Sequence, residues 1–241
     1  MELEVKGKSI LVTGAGHGIG NQLCKTLHEL GAKVIAVSRN QKPLDELAAE
    51  CSGIKTIAVD LAKWQETREA LKNITFLDAL VNSAGVAVIK PFAEMTESDF
   101  DHQFNVNFKA IYNLCQFLSP KIRDGGSIVN ISSLASMIGI EGHSVYGPTK
   151  AALDNFMKNL VLELGPRKIR VNNVNPTVIL TRMGRENWSD PAKADPLISR
   201  IPLRRFGEVH EVVEPIIFLL SDKSSFINGH CLPLEGGYLT A

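Results

Sequence analysis

A tyrosine and a lysine occur at the spacing of one helical turn, in the segment Tyr146-Gly-Pro-Thr-Lys150. Residues i and i+4 of a helix lie on the same face, so the lysine ammonium can lie beside the phenol. A neighbouring cation favours the phenolate and lowers the pKa of a phenol from its usual value of about 10. The pair therefore predicts an acid and base that works near neutral pH, although exposed pairs without chemistry share this spacing.

Two serines, Ser132 and Ser133, stand upstream of this pair, directly after the apolar run Ser127-Ile-Val-Asn-Ile131. That run predicts a buried strand, so both serines would follow its carboxyl end. Together with Tyr146 and Lys150, a serine at a strand end favours a catalytic group over a chance pattern. The residues alone do not decide which of the two serines belongs to the catalytic group.

A glycine-rich turn lies near the start of the chain, in Thr13-Gly-Ala-Gly-His-Gly-Ile-Gly20. It separates an apolar run that predicts a strand from a helical pattern at about 18–30. Glycines at such a turn let the backbone approach a pyrophosphate, which rests on the positive end of the following helix. The G-x-x-x-G-x-G pattern predicts a dinucleotide site, with an ordinary tight turn as the alternative.

The residues at the end of the second predicted strand determine which of the two nicotinamide dinucleotides is bound. An acidic residue there binds the ribose 2′-hydroxyl of NAD(H), whereas an arginine accommodates the 2′-phosphate of NADP(H). The sequence Val37-Ser-Arg-Asn40 contains no acid. Arg39 can bind the phosphate while Ser38 and Asn40 donate hydrogen bonds. We therefore predict NADP(H), with a surface arginine that binds nothing as the alternative.

Strand-like apolar runs alternate with helical patterns along the chain. Strands are predicted at 9–13, 34–37, 56–59, 79–81, 127–131, 170–174 and 231–234, and helices at about 18–30, 41–50, 63–72, 97–122, 145–164 and 209–220. This alternation predicts an α/β fold, a doubly wound (Rossmann) three-layer sandwich with a mainly parallel sheet of about seven strands. We expect a single domain over residues 1–241, with a substrate lid at about 181–200.

Composition excludes several classes of protein. The 241 residues include 26 Lys and Arg and 26 Asp and Glu, so the formal net charge is zero and does not favour nucleic acid or an anionic membrane as partner. The sequence has no apolar stretch of the roughly 18 residues that a membrane helix needs, and no secretory signal pattern. We therefore expect a soluble cytoplasmic protein without membrane insertion. The wide spacing of the cysteines favours buried free thiols over a metal site.

Together these motifs resemble the short-chain dehydrogenase/reductase family over essentially the whole chain. The matching motifs are Thr13-Gly-x-x-x-Gly-Ile-Gly20, Asp60-Leu61, Asn82-Ser-Ala-Gly85, Asn107, Ser133, Tyr146-x-x-x-Lys150 and Pro176-x-x-x-x-Thr181. The resemblance implies an oxidoreductase that uses a nicotinamide cofactor for hydride transfer, while the protein supplies position, a proton and charge stabilisation.

The resemblance also implies the role of each catalytic residue. Ser133, chosen over Ser132 by its spacing to the tyrosine, would orient and polarise a substrate carbonyl, and Tyr146 would give it a proton. Lys150 would bind the nicotinamide ribose and depress the pKa of Tyr146. Asn107 would hold a water molecule in a proton relay, with a cap or a buried hydrogen-bonding residue as the alternative.

The implied cofactor site extends over several strand ends. Asp60 would approach the adenine, unless it is only a cap, and Asn82 the adenosine ribose. Thr181 and the backbone near Ile179 would meet the nicotinamide carboxamide. The full set of predicted cofactor-binding residues is Gly14, His17, Gly18, Ile19, Gly20, Ser38, Arg39, Asn40, Asp60, Leu61, Asn82, Ala84, Gly85, Tyr146, Lys150, Pro176, Ile179 and Thr181.

Further segments, such as Asn187-Trp-Ser-Asp-Pro191, resemble members of the family that reduce a small ketose. This implies a homotetramer that uses NADPH to reduce small carbonyls, L-xylulose to xylitol and α-dicarbonyls such as diacetyl. The predicted substrate-binding residues are Ser133, His143, Tyr146 and Trp188. For His143 a helix-start histidine without a substrate role is the alternative, and for Trp188 simple packing of the lid.

Two other functions stay open on this fold. One is a 3-oxoacyl thioester reductase, or another sugar or steroid dehydrogenase. The other is a binding protein that keeps the cofactor site without turnover, although every catalytic position is filled.

Two residues depart from the family pattern. His17 stands in the glycine turn where NADP-preferring relatives often carry Lys or Arg. Pro148 would cost about 3 kcal/mol inside a helix, because it lacks an amide proton, and is tolerable only near the first turn. We therefore expect its helix to start near Ser144 or Val145, with Ser144 as the N-cap.

Overall fold

The computed structural model describes residues 4–240, apart from the side chains of Met183 and Asn187. Within that range a sheet of seven parallel strands has the order β3-β2-β1-β4-β5-β6-β7. The strands are Ser9–Thr13 (β1), Lys33–Ser38 (β2), Lys55–Ala58 (β3), Leu77–Asn82 (β4), Ile122–Ile131 (β5), Arg170–Pro176 (β6) and Cys231–Leu234 (β7).

Helices connect the strands and cover the sheet. They are Gly18–Glu29 (α1), Gln41–Glu50 (α2), Trp64–Ala70 (α3), Glu97–Phe104 (α4), Ala110–Leu118 (α5), Tyr146–Leu164 (α6), Arg182–Asn187 (α7), Pro191–Arg200 (α8) and His210–Leu220 (α9). A π-helical segment, Asn105–Lys109, joins α4 to α5. In the part of the chain that the structure describes, no helix has the length and apolar character needed to cross a bilayer.

Both faces of the sheet are buried. Successive side chains of a strand point to opposite faces. In β1, Ile10 and Val12 belong to a core cluster shared with α1, α2 and α9, whereas Leu11 belongs to a second cluster shared with α5 and α6. Continuous apolar strands are therefore stable here, and the predicted doubly wound fold is confirmed.

The region predicted as one helix at about 97–122 differs most from the prediction. Thr96 begins α4 through a capping box with Asp99. The π-helical segment interrupts the helix and buries Asn107 fully, and β5 already begins at Ile122. A π-helical turn inserts a residue without ending the helix, so the apolar pattern continues across it.

The start of α6 corrects a second prediction. Val145 precedes the helix and no side chain caps it, so Ser144 is not the N-cap. Pro148 lies in the first turn, as predicted, where a backbone amide has no helical partner to lose. Tyr146 is consequently the first helical residue, and Lys150 lies one turn further on.

Candidate active site

The turn between β1 and α1 forms a tight glycine cradle. Gly14 and Gly18 have φ of +69° and +59°, a left-handed conformation that favours glycine. A Cβ atom on Gly14 would lie 2.8 Å from the Ala84 amide nitrogen, and one on Gly16 would lie 2.7 Å from Ser38 Oγ. At position 14, where the neighbour is backbone, only glycine fits this close approach. The cradle at the N-terminus of α1 suits the diphosphate of a dinucleotide.

Thr13, the last residue of β1, ties this turn to the end of β4. Its hydroxyl oxygen accepts hydrogen bonds from the amides of Ser83 at 3.0 Å and Ala84 at 3.2 Å. The hydroxyl also donates to the Val81 carbonyl at 3.4 Å. Because the strand order reverses between β1 and β4, this contact fixes the crevice in which doubly wound folds bind their ligands.

A cleft of about 420 Å³ opens at this crevice. The predicted cofactor-binding residues that line it are Gly14, His17, Gly18, Ser38, Arg39, Asn40, Asp60, Leu61, Ala84, Gly85 and Thr181. Six further residues line it as well, namely Val59, Ala62, Ser83, Val86, Val106 and Arg182. Its size and its glycine cradle fit a nicotinamide dinucleotide.

One end of the cleft carries the residues that would determine the specificity for NADP(H) or NAD(H). Arg39 is exposed there beside Ser38 and Asn40. Asp60 Oδ1 accepts a hydrogen bond from the Ala62 amide at 3.0 Å, so this carboxylate caps the turn before α3 and lines the cleft as well. The cap and the cofactor prediction for Asp60 are therefore compatible.

Asn82 lies at the end of β4. Its side chain is fully buried and donates a hydrogen bond to Asn130 Oδ1 at 2.8 Å. The Nδ2 group is thus used between β4 and β5, whereas Oδ1 has no hydrogen-bond partner. The residue does not line the cleft, and its predicted contact with the ribose stays a prediction. Ser83, the next residue, lines the cleft instead.

Four other predicted cofactor residues lie outside the lining of the cleft. Gly20 lets α1 pack on the glycine turn, since a Cβ atom there would lie 2.5 Å from the Gly14 carbonyl oxygen. Ile19 packs against the core, and Pro176 is buried at the end of β6. Ile179 lines a separate cavity of about 220 Å³ next to α9. The predicted contacts of these four residues with the cofactor stay predictions.

Lys150 and Tyr146 come together at the start of α6. Lys150 is only 3% exposed, and its Nζ donates to the Ile131 carbonyl at 2.8 Å. The same nitrogen lies 5.7 Å from the centre of the Tyr146 ring. The Ser133 side chain lies near enough to the Tyr146 phenol to lower its pKa. Ser132 Oγ instead donates to the buried Lys150 carbonyl at 3.3 Å, so the geometry favours Ser133 as the reactive serine.

Burial changes the pKa of both ionisable groups. Loss of solvent lowers the pKa of Lys150 to about 8, and the Asp154 carboxylate acts in the opposite direction. Burial also raises the pKa of the Tyr146 phenol, against a smaller lowering by the Ser133 side chain. Desolvation is thus the largest influence on the phenol, and the predicted lowering of its pKa by Lys150 stays a prediction.

Asn107 clamps the segment that follows β4. Its Oδ1 accepts from the Val86 amide at 2.8 Å. Its Nδ2 donates to the Val86 carbonyl at 2.8 Å and to Thr149 Oγ1 at 3.1 Å. Both amide protons are used, so a water molecule at Asn107 would have to donate to one of its carbonyl oxygens. The side chain is a buried hydrogen-bonding group, and the predicted water relay stays a prediction.

Gly85 connects the cleft to the catalytic side chains. It lines the cleft, and a Cβ atom on it would lie 3.4 Å from Asn107 Oδ1 and 3.5 Å from Lys150 Nζ. Neither Tyr146 nor Lys150 lines the cleft itself. A ligand that fills the cleft would therefore meet the catalytic group at Gly85.

The two predicted substrate residues occupy different surroundings. The His143 ring lies edge-on to the Tyr146 ring, 5.9 Å between centres, and its Nδ1 contacts the Glu141 carbonyl at 2.7 Å. Trp188 follows α7 and lies 5.6 Å from the Phe206 ring, in an apolar cluster that α8 completes. His143 thus lies beside the catalytic group, whereas Trp188 packs within the predicted lid.

Arg182 is a cleft residue that the sequence analysis missed. It follows Thr181, whose Cγ2 lies 3.3 Å from the position of a Cβ on Gly18. Arg182 therefore lines the cleft near the N-terminus of α1, and its Nε lies 3.7 Å from Glu186 Oε1. No local motif marks such an arginine, because its place depends on how the lid packs on the glycine turn.

Other reactive groups lie outside this site. Cys24, Cys51 and Cys115 are buried and Cys231 is half-buried, and all four are free thiols. Burial raises the pKa of Cys24 and of Cys115 to about 12, so these two stay protonated. Among residues 4–240 no cluster of His, Cys, Asp and Glu side chains is arranged to hold a metal ion.

Comparison with known proteins assigns the family. Residues 14–239 match the family model described as Enoyl-(Acyl carrier protein) reductase. The L-xylulose reductase of Bos taurus is 50% identical over 242 residues, which cover 99% of both chains. Carbonyl reductase [NADPH] 2 of Sus scrofa is 44% identical over 244 residues and covers 100% of both chains. The chain belongs to the short-chain dehydrogenase/reductase family.

A solved structure supports the same assignment at the level of the fold. A protein from Beutenbergia cavernae, labelled a gluconate 5-dehydrogenase of NAD(P)-dependent type, matches with a TM-score of 0.92 and 28% identity over 99% of both chains. That structure has NADP bound at low occupancy. Short-chain dehydrogenases/reductases are oxidoreductases that bind a nicotinamide cofactor in a Rossmann fold, and the cleft of this chain lies at the crevice where doubly wound folds bind their ligands.

We expect Arg182→Ser to weaken the binding of NADPH and of NADH by a similar factor, about 3- to 10-fold. Arg182 lies near the α1 N-terminus, where the diphosphate common to both cofactors would rest. Titration of the cofactor fluorescence measures both dissociation constants. Arg185→Ser is the control, because Arg185 is on the same helix but pairs with Glu208 at 2.9 Å. Unchanged affinity for both cofactors would contradict the assignment of Arg182 to the diphosphate.

Proposed function

We propose that the protein is an NADPH-dependent reductase of small carbonyl compounds, with L-xylulose and α-dicarbonyls such as diacetyl as substrates. The observation that carries the proposal is the group of Ser133, Tyr146 and Lys150, adjoining at Gly85 a cleft that fits a dinucleotide. The relatives named L-xylulose reductase and carbonyl reductase support the choice of substrate class.

Tyr146 is the proton donor of this reduction. Since burial raises its pKa, the phenol is protonated at neutral pH and has a proton to give. Ser133, whose side chain lies near the phenol, orients the carbonyl oxygen between the two hydroxyls. A bound nicotinamide would supply the hydride that the carbonyl carbon receives. Proton and hydride together convert the carbonyl into an alcohol.

Lys150 stabilises the charge that remains after proton transfer. The phenolate of Tyr146 would lie in a buried site with the ammonium 5.7 Å from the ring centre. With a pKa of about 8, Lys150 is charged at neutral pH. Its attraction for the phenolate offsets part of the desolvation that opposes ionisation. Lys150 is also the residue that would bind the nicotinamide ribose.

Arg39 carries the preference for NADPH over NADH. It lines the cleft directly after β2, the position at which these folds distinguish a 2′-phosphate from a 2′-hydroxyl. Ser38 and Asn40 line the cleft beside it and can donate further hydrogen bonds. A guanidinium binds a phosphate through charge-assisted hydrogen bonds, whereas it gains little from a hydroxyl.

His143 and the lid fit a small polar substrate. Because His143 lies beside Tyr146, it can hydrogen-bond a hydroxyl of a ketose whose carbonyl lies at the phenol. The lid at 181–200, with Trp188 in its apolar cluster, would limit the length of the substrate. The homotetramer and the cytoplasmic location implied by the resemblance stay predictions, and the first is tested by the mass in solution.

We expect Tyr146→Phe to lower kcat for L-xylulose and for diacetyl by about 100- to 10,000-fold, the range that a general acid contributes. NADPH consumption measures both rates, with an acetoacetyl thioester as a third substrate. Tyr112→Phe is the control, because that ring is exposed on α5.

Two results would contradict the proposal in different ways. Undiminished turnover in Tyr146→Phe would exclude Tyr146 as proton donor. Efficient reduction of the thioester alone, without turnover of L-xylulose and diacetyl, would favour the thioester reductase instead.

We expect Arg39→Asp to lower the ratio of kcat/KM with NADPH to kcat/KM with NADH by about 10- to 100-fold, because the carboxylate repels a phosphate and accepts from a hydroxyl. Activity with NADH provides the internal control for folding. An unchanged ratio would mean that Arg39 does not bind the 2′-phosphate.

A further inference from the structure

A line of buried amides crosses the sheet and ends at a carboxylate on α6. Asn82 donates to Asn130 Oδ1 at 2.8 Å, and Asn130 donates to Asn173 Oδ1 at 2.8 Å. Asn173 then donates to Asp154 Oδ1 at 2.7 Å. β4, β5 and β6 each contribute one of these asparagines, so hydrogen bonds between side chains join three neighbouring strands to one acid.

Asp154 accepts two more hydrogen bonds on its other oxygen. Asn175 Nδ2 lies 2.9 Å and Ser136 Oγ 2.5 Å from Asp154 Oδ2. The residue is 9% exposed, and among residues 4–240 its carboxylate forms no ion pair. A buried carboxylate is costly unless its oxygens are satisfied. Here the amides of Asn173 and Asn175 donate to them, and the single Ser136 hydroxyl proton is shared between Asp154 and the Ser133 carbonyl.

The donors to Asp154 also contact the turn that carries Ser133. Ser136 Oγ lies 2.7 Å from the Ser133 carbonyl oxygen, and Asn175 Nδ2 lies 3.3 Å from it. Ser133 Oγ in turn accepts from the Ala135 amide at 3.1 Å. The backbone of Ser133 is therefore fixed to α6 through Asp154, two turns after Tyr146.

We propose that Asp154 is a positioning residue, which holds the Ser133 turn against α6 so that the Ser133 hydroxyl meets the Tyr146 phenol. This role belongs to the carbonyl reduction proposed above, and the proposal rests on that function. Tyr146 and Asp154 belong to the same helix, so this link fixes Ser133 relative to the proton donor rather than to the sheet alone.

Asp154 also acts on Lys150 through its charge. Its carboxylate raises the pKa of Lys150 against the lowering by burial. The other titratable group against it is Cys231 of β7, whose thiol pKa is raised to about 11 by burial and by Asp154, with Lys158 acting in the opposite direction. Cys231 stays protonated near neutral pH, so Lys150 is the group whose charge Asp154 controls.

The test is Asp154→Asn, which has nearly the same shape but places an amide where three donors converge. At least one N–H would then face another N–H, so the Ser133 turn should shift. We expect kcat to fall about 10- to 100-fold, while the dissociation constant of NADPH changes less than about 2-fold. The alkaline limb of kcat/KM should move to lower pH, because Lys150 loses its proton more readily without the carboxylate.

Asp78→Asn is the matched control. Its side chain is 14% exposed, and it pairs with Arg123 at 2.6 Å and accepts from the Ser9 amide at 2.7 Å, far along the sheet from Ser133. This variant should lose stability but keep kcat and the pH profile. Ser136→Ala is a second variant that leaves the charge of Asp154 intact, and we expect a 3- to 10-fold fall in kcat without a pH shift.

A crystal structure of Asp154→Asn provides a readout that needs no turnover. We expect Ser133 Oγ to lie further from the Tyr146 phenol there than in the wild-type protein. If neither Asp154→Asn nor Ser136→Ala changes kcat or the position of Ser133 Oγ, Asp154 has only a structural role and the proposal is overturned. If the wild-type enzyme reduces no carbonyl tested, the proposed function fails, and the position of Ser133 still decides the role of Asp154.

Discussion

The rest of the site depends on the burial of the Lys150 ammonium beside the Tyr146 ring. A charged group that is 3% exposed requires partners, and Lys150 Nζ has the Ile131 carbonyl at 2.8 Å and the Tyr146 ring at 5.7 Å. These contacts require α6 to begin close to the end of β5. Burial lowers the pKa of Lys150 to about 8, which leaves it charged at neutral pH but easily influenced by its neighbours.

The burial of Lys150 also explains why the cleft lies next to the catalytic residues. β4 and β5 are neighbours, so the segment after β4 passes close to Lys150, and a Cβ atom at position 85 would be in van der Waals contact with Asn107 and Lys150. On its other side that segment contacts the glycine turn through Thr13. One short loop therefore touches both the proposed cofactor cradle and the catalytic group, and a cofactor bound in the cleft would reach both.

Local patterns predicted much of this arrangement. Apolar runs predicted the bounds of β1 and β7, and helical spacing placed Tyr146 and Lys150 on one helix. The glycine turn was also recognised from a short segment. The pairing of Asn82 with Asn130, and the place of Arg182, depend on strand register and on the packing of the lid. The raised pKa of Tyr146 likewise depends on how much water the folded chain excludes, which spacing alone does not reveal.

The most direct test of this account is the pKa of Lys150, measured by NMR from the chemical shift of its ε-methylene group, with Lys150→Met to assign the signal. We expect a value of about 8 in the cofactor-free protein, well below the 10.5 of a solvent-exposed lysine. A value near 10.5 would contradict the account, because the ammonium would then be hydrated rather than buried beside Tyr146.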